Sequence, residues 1–172
     1  EIGPGKGELT KTLLKKTNQV NAVEIDKDLI TELKGLQKKY KNLFIHNEDI
    51  LKFNLKKIRK RTDKIRIVGN LPYHISSPII FWAFNSIENI KDMHFMFQKE
   101  FGERLASQPE TKSYGRLSIL TQYMCDITLL FNIEAESFRP IPSVESVFLK
   151  LVPKKNVHIN SNLAKKLQEI TQ

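Results

Sequence analysis

Ile65-Arg66-Ile67-Val68-Gly69-Asn70-Leu71-Pro72-Tyr73 decides how the rest of the chain is read. Ile65, Ile67, Val68 and Gly69 make an apolar, β-branched run of the kind buried in a parallel sheet. Ser76-Ser77-Pro78 follows, which predicts a helix start with Pro78 at the first helical position. A strand-to-helix turn is where an open α/β sheet holds its ligands. An amide, a rigid proline and an exposed aromatic in that turn suggest a clamp for a flat, hydrogen-bonding group such as a nucleobase.

Working outward, the same alternation recurs on both sides. Glu1-Ile2 read as the tail of a strand, and Gly3-Pro4-Gly5-Lys6-Gly7 as a tight turn. Leu9, Leu13 and Leu14 then have helical spacing. Further strands are predicted at Val20–Ile25, Leu43–His46, Ile65–Val68, Met93–Phe97, Ile127–Ile133 and Val144–Val152. Helices are expected around Leu29–Leu36, Pro78–Asn85, Phe101–Ser107 and Tyr114–Tyr123. Lys38, Lys39 and Lys41 near the end of the Leu29–Leu36 helix favour its dipole. Pro140 and Pro142 keep the last connection out of the sheet. This is an α/β chain with a mostly parallel, seven-stranded sheet and helices on both faces. The first domain is read as 1–153. A polar break around Pro153–Asn160 then leads to a helical tail at Asn162–Ile170, within a second segment, 154–172.

Composition narrows the classes. At 172 residues with 40% hydrophobic content, the chain holds about one domain and one real core. Its longest apolar run, Pro78–Phe84, is far short of the ~18 residues a membrane span needs, and no signal peptide is evident. A cytoplasmic location is expected. Cys125 is the only cysteine, which excludes an internal disulfide and a cysteine-based metal site and reads as a core thiol. His46, His74, His94 and His158 lack ligand spacing, so no metal is assigned. The net charge of +9 favours a polyanionic partner, with a lysine-rich solvated surface as the bland alternative.

Gly3, Gly5 and Gly7 lie where a nucleotide-like ligand would sit, but the spacing is not that of a dinucleotide fold. Glu8 occupies the position of the third glycine and would put an anion beside a pyrophosphate. Gly7 follows Lys6 where a phosphate loop needs Ser or Thr. A ligand without phosphate and with a positive centre fits better, and S-adenosylmethionine is such a molecule. Glu24, about 20 residues after the turn, is placed to accept hydrogen bonds from both ribose hydroxyls. Asp26 and Asp28 look like helix-start residues. Asp49 is placed to accept from an adenine amino group, with Glu48 as its rival.

Asn70, Leu71, Pro72 and Tyr73 would then hold the reacting base. The exocyclic nitrogen of adenine is a poor nucleophile because its lone pair is delocalised into the ring. Acceptors for its N–H groups, namely the Asn70 side-chain oxygen and the Leu71 carbonyl, bias it toward a tetrahedral shape and stabilise developing positive charge. Pro72 fixes the backbone that aims that carbonyl, and Tyr73 can stack on the base. An ordinary proline-containing turn is the alternative for this tetrapeptide in isolation.

In order along the chain, these runs resemble the ribosomal RNA small-subunit adenine N6,N6-dimethyltransferase family. The matching stretches are Glu1-Ile2-Gly3-Pro4-Gly5-Lys6-Gly7-Glu8-Leu9-Thr10, Val23-Glu24-Ile25-Asp26-Lys27-Asp28-Leu29 and Gly69-Asn70-Leu71-Pro72-Tyr73-His74-Ile75-Ser76. Met96-Phe97-Gln98-Lys99-Glu100, Tyr114-Gly115-Arg116-Leu117-Ser118 and Phe138-Arg139-Pro140-Ile141-Pro142-Ser143-Val144-Glu145-Ser146 follow. The resemblance implies a Rossmann-like class I methyltransferase fold that uses S-adenosyl-L-methionine to methylate N6 of two adjacent adenosines near the 3′ end of small-subunit rRNA. It implies Glu1, Gly3, Gly5, Glu24, Asp49 and Asn70 as cofactor contacts, with Phe138 as a second base-facing aromatic. It also implies an immature small ribosomal subunit as partner, a monomer, and a family N-terminal segment and C-terminal helical domain that are missing or truncated here. Three other readings remain. They are a non-catalytic RNA-binding assembly or transcription factor on the same fold, against which Glu24, Asp49 and Asn70 argue, a large-subunit rRNA adenine N6-methyltransferase, from which Leu71 and the Phe138–Ser146 run lean away, and a nicotinamide-dependent dehydrogenase, disfavoured by Glu8.

Lys56-Lys57-Ile58-Arg59-Lys60-Arg61, with Lys64 and Arg66, has two equal readings, phosphate contacts or a solvated loop face. Gln98-Lys99-Glu100 reads either as a rim of the site or as a helix start. Packing and capping a helix is a sufficient reading of Tyr114-Gly115-Arg116.

Overall fold

The computed structural model describes residues 1–58 and 63–155. Among the described residues six strands are formed: β1 (Val20–Glu24), β2 (Leu43–Asn47), β3 (Ile65–Asn70), β4 (Ile90–Gln98), β5 (Cys125–Ile133) and β6 (Ser146–Pro153). Their order is β2-β1 and β3-β4-β6-β5. Ile2 joins the two halves by bridging Val23 on one side and Gly69 on the other, both parallel. Counting that bridge, seven sheet positions are filled, and only β6 runs against its neighbours. A Cβ at Gly69 would come within 3.2 Å of the Ile2 carbonyl oxygen and 2.8 Å of a Leu71 methyl, so the bridge depends on glycine there.

The faces of β1 show how both sides of the sheet are covered. Val20 and Ala22 pack with Leu14 and Leu43 in one cluster, beside α1 (Glu8–Leu14) and α2 (Lys27–Lys39). Val23 faces the other way, into a larger core that includes Ile50, Phe53, Ile79, Trp82, Phe95 and Leu149. This core also takes in α3 (Ser76–Phe84), α4 (Lys99–Ala106) and α5 (Arg116–Met124). At Gly102 of α4 an added Cβ would sit 2.3 Å from a Val147 methyl, so that helix lies directly on β6. Cys125 is 1% exposed, and burial pushes its thiol up to about 12, as suits an inert core thiol.

Local signals behave as their chemistry demands. The Asp26 carboxylate caps α2 by accepting from the Asp28 N–H at 2.8 Å. Gly115 precedes α5, and its N–H donates to Ser118 Oγ at 3.2 Å. Several boundaries differ from expectation. Asn70 is the last residue of β3, not part of the turn. A single 3-10 turn, Tyr73–Ile75, runs straight into α3, so Ser76 opens that helix and Pro78 is its third residue. Pro78 is tolerated there because the first-turn N–H groups lack helical partners anyway. The last strand starts at Ser146, not Val144. Most of the 154–172 segment, including the tail predicted at Asn162–Ile170, lies outside the described residues.

Candidate functional site

Glu24, Asn47, Asn70 and Gln98 each end a strand, so they line one edge of the sheet. The chain runs from Ile2 outward to β1 and β2, then returns to β3 on the opposite side. That reversal makes the crevice beside Ile2 the ligand-holding point of an open α/β sheet. The turn that follows Ile2 has φ of +59° at Gly3, +56° at Gly5 and +80° at Gly7, a region closed to most residues with a Cβ.

Glu24 is 6% exposed. The N–H groups of Ile25 and Asp26 donate to its Oε1 at 2.9 and 3.0 Å, and the Gly5 N–H donates to Oε2 at a longer 3.3 Å. One carboxylate oxygen is thus fixed by the backbone, and the other, more loosely held, is turned toward the glycine turn. Asn47 draws β2 onto this corner, its Nδ2 donating to the carbonyls of Glu24 and Ile25 at 2.9 and 3.2 Å. Glu1 is half-buried and accepts from the Thr10 hydroxyl at 2.6 Å. Burial pushes the Glu1 carboxyl above the usual glutamate range, against the Thr10 hydrogen bond.

Of the two rivals after β2, Glu48 is committed to Lys57 through both oxygens, at 3.0 and 2.7 Å. Asp49 uses Oδ1 to accept from the Leu51 N–H at 2.9 Å. Its capping bond occupies one oxygen, whereas Glu48 has both engaged.

Asn70 stands beside the glycine turn, its carbonyl oxygen 3.9 Å from the Cβ position of Gly3. Its side chain is exposed and has no hydrogen-bond partner among the described residues. The next residues line a cavity of about 320 Å³ with Met96, Phe138, Arg139, Pro140 and Pro142. Leu71 is 2% exposed, so it offers its backbone while its side chain anchors the turn in the core. Tyr73 is half-buried, not exposed as expected, because its hydroxyl is hydrogen-bonded to Ser146 Oγ at 3.0 Å.

The structure therefore gathers Gly3, Gly5, Glu24 and Asn70 at one crevice, and Asn70 to Tyr73 with Phe138 at the adjoining cavity. Of the basic stretch, Lys57 is paired with Glu48 beside Asp49, whereas Arg66 stands apart. Arg66 is four residues back along β3, about 13 Å from Asn70 at strand rise. It is held bidentate by Asp92 at 2.6 and 2.8 Å. Residues 59–62 of that stretch lie outside the described residues. Gln98 immediately precedes α4, which supports the helix-start reading of Gln98-Lys99-Glu100. Sequence reasoning assigns no role to Asn47, Thr10 or Ser146, whose partners lie far off in the chain or on another element.

A family model described as "Ribosomal RNA adenine dimethylase" matches residues 1–172. The chain belongs to that family. It is 42% identical over 172 residues to "Ribosomal RNA small subunit methyltransferase A" of Coxiella burnetii (strain CbuG_Q212), covering 99% of this chain and 65% of that protein. A dimethyladenosine transferase from Plasmodium falciparum superposes with a TM-score of 0.77 at 37% identity, over 90% of this chain and 55% of the other. The 23S rRNA methyltransferase ErmE superposes with a TM-score of 0.74 at 25% identity, over 96% and 64%. The chain thus spans about two thirds or less of the length of these relatives. Its fold is the class I methyltransferase α/β fold, as the family resemblance implied, on the mostly parallel sheet that the alternation of strands and helices predicts.

Proposed function

We propose that this chain is the catalytic part of an S-adenosylmethionine-dependent methyltransferase that dimethylates N6 of two adjacent adenosines near the 3′ end of small-subunit rRNA. The observation that carries this reading is the uncommitted Asn70 amide. It ends the strand next to the glycine turn and opens directly onto a cavity walled by Tyr73 and Phe138. Family membership and the printed names of its relatives support the same chemistry.

The residues present fit the cofactor. Glu24 offers its Oε2 to ribose hydroxyls while Oε1 stays fixed by two N–H groups, and Asp49 keeps one oxygen for an adenine amine. Gly3 and Gly5 let the backbone approach closely. Bound there, S-adenosylmethionine supplies an electrophilic methyl group on a positively charged sulfur. The chain's own work is on the base. Asn70 Oδ1 and the Leu71 carbonyl accept the two N6–H hydrogens, which turns the nitrogen lone pair out of conjugation and stabilises its growing positive charge. Pro72 holds that carbonyl in place, and Tyr73 and Phe138 grip the ring. No strong base is required, since the N6 proton made acidic by methylation leaves to water. A duplex hides N6, so the target adenosine is taken unpaired or splayed out.

The same reading takes the protein as a monomer acting in the cytoplasm during ribosome biogenesis, with no metal and no membrane. The decisive experiment is transfer of labelled methyl from S-adenosylmethionine to small subunits whose rRNA lacks the modification. Label in two adjacent adenosines of small-subunit rRNA is expected. Label in large-subunit rRNA alone would favour the alternative that the ErmE likeness keeps open. RNA binding without transfer would favour the non-catalytic factor.

A further inference from the structure

We propose that Ser146 is a positioning residue for the base-facing wall, setting the tilt of the Tyr73 ring through the hydrogen bond between their hydroxyls. This inference rests on the reading of the cavity as the target-base site. Tyr73 is held at both ends. Its carbonyl accepts from Ser76 Oγ at 2.8 Å, and its phenol oxygen lies 3.0 Å from Ser146 Oγ. A side chain fixed at its root and its tip has little freedom left to lose when a base arrives, so the stacking face is preorganised.

Ser146 suits this task because it is itself immobilised. It is fully buried, and as the first residue of β6 it is paired with Gln98 of β4 and Ile133 of β5. The residue before it is fastened to the start of α4, where the Lys99 N–H donates to the Glu145 carbonyl at 2.9 Å and Lys99 Nζ meets Glu145 Oε2 at 2.6 Å. Ser146 also terminates the segment that carries Phe138. With its hydroxyl tied into the sheet, Tyr73 presents its ring face, not its phenol, to the base.

The test is a cycle of Tyr73→Phe, Ser146→Ala and the double variant. Three quantities are read: kcat and KM for methyl transfer to rRNA, S-adenosylmethionine affinity, and the fluorescence of an RNA carrying 2-aminopurine at the target position. Each single variant is expected to lower kcat about 2–10-fold, the worth of one neutral hydrogen bond, and to weaken 2-aminopurine quenching. Cofactor affinity should be unchanged, and the double variant no worse than the weaker single. Losses that multiply in the double variant, or a wild-type kcat in Tyr73→Phe, would overturn the positioning role. Tyr73→Phe keeps the ring and its packing, so it remains informative even where Ser146→Ala folds poorly. An unmodified protein that neither methylates rRNA nor quenches the probe would remove the proposed function and this role with it. Normal transfer with uncoupled variants removes only the role of Ser146.

Discussion

On the Glu24 side of the crevice the carboxylate is held by backbone groups: the N–H groups of Ile25 and Asp26, and that of Gly5 nineteen residues earlier. On the Tyr73 side the holding contacts are side chains brought from far away, Tyr73 to Ser146 across 73 residues and Lys99 to Glu145 across 46. Backbone donors survive every substitution but proline, so the cofactor side should be stiff and forgiving of its neighbours. The base side exists only while β6 is docked between β4 and β5. Loosening that docking should cost the base site before it costs the cofactor site.

The largest expected effect falls where the two sides meet. Asn70→Ala should lower methyl transfer to rRNA by about 10²–10³, the usual loss for one preorganised polar contact to developing charge. A rate within a few-fold of the parent in a single-turnover assay would sever the link between the two sides. Next comes Glu24→Gln, which should weaken S-adenosylmethionine binding about 10–100-fold, in line with ~1.5–3 kcal/mol for hydrogen bonds to a charged group. Titration calorimetry checks this, and RNA binding should hardly change.

Tyr73→Ala makes the opposite split. Losing one stacking surface, worth ~1–3 kcal/mol, should raise the KM for RNA with little change in cofactor affinity, and equal losses in both would dissolve the distinction between the two sides. The smallest effect concerns neither side, but the ion pair near the opposite ends of β3 and β4. Burial pushes the Asp92 carboxyl up, but the hydrogen bonds and charge of Arg66, joined by His94 and Lys150, hold it below its ordinary 3.8. A carboxyl with a depressed native pKa adds stability that is present above the unfolded value and is lost as pH falls through the native one. Arg66→Gln leaves the burial and removes the partner, so the acid limb of stability should move to higher pH. Urea midpoints measured from pH 3 to 6 will show it.

Much of the fold and of the site is legible in the order of residues, and the reasons are local. Glycines at a positive-φ turn, an acidic residue ending a strand, a capping Asp26 and a Pro in a first helical turn all announce themselves within a few residues. Asn70 is singled out by its neighbours, and the structure puts it at the end of β3, two residues beyond the strand predicted at Ile65–Val68. Tyr73 reads as exposed because the group that half-buries it is a serine in another strand. Ser146 and Met96 carry no signal for the cavity either, since strand residues declare a face, not the partner that will cross to meet them.

The order of chemistry along this chain, strand then turn then helix, was settled by the sequence, because hydrophobic period and turn residues act over a few positions. The family runs, from Glu1 to Ser146, are equally a property of the order of residues. Only the tertiary structure decided which oxygen of Glu24 faces the glycine turn, that Glu48 and not Asp49 is taken by a lysine, and that Tyr73 is tied to Ser146. Each of those outcomes depends on which distant groups reach the same few ångströms when the sheet closes, and distance along the chain says nothing about that.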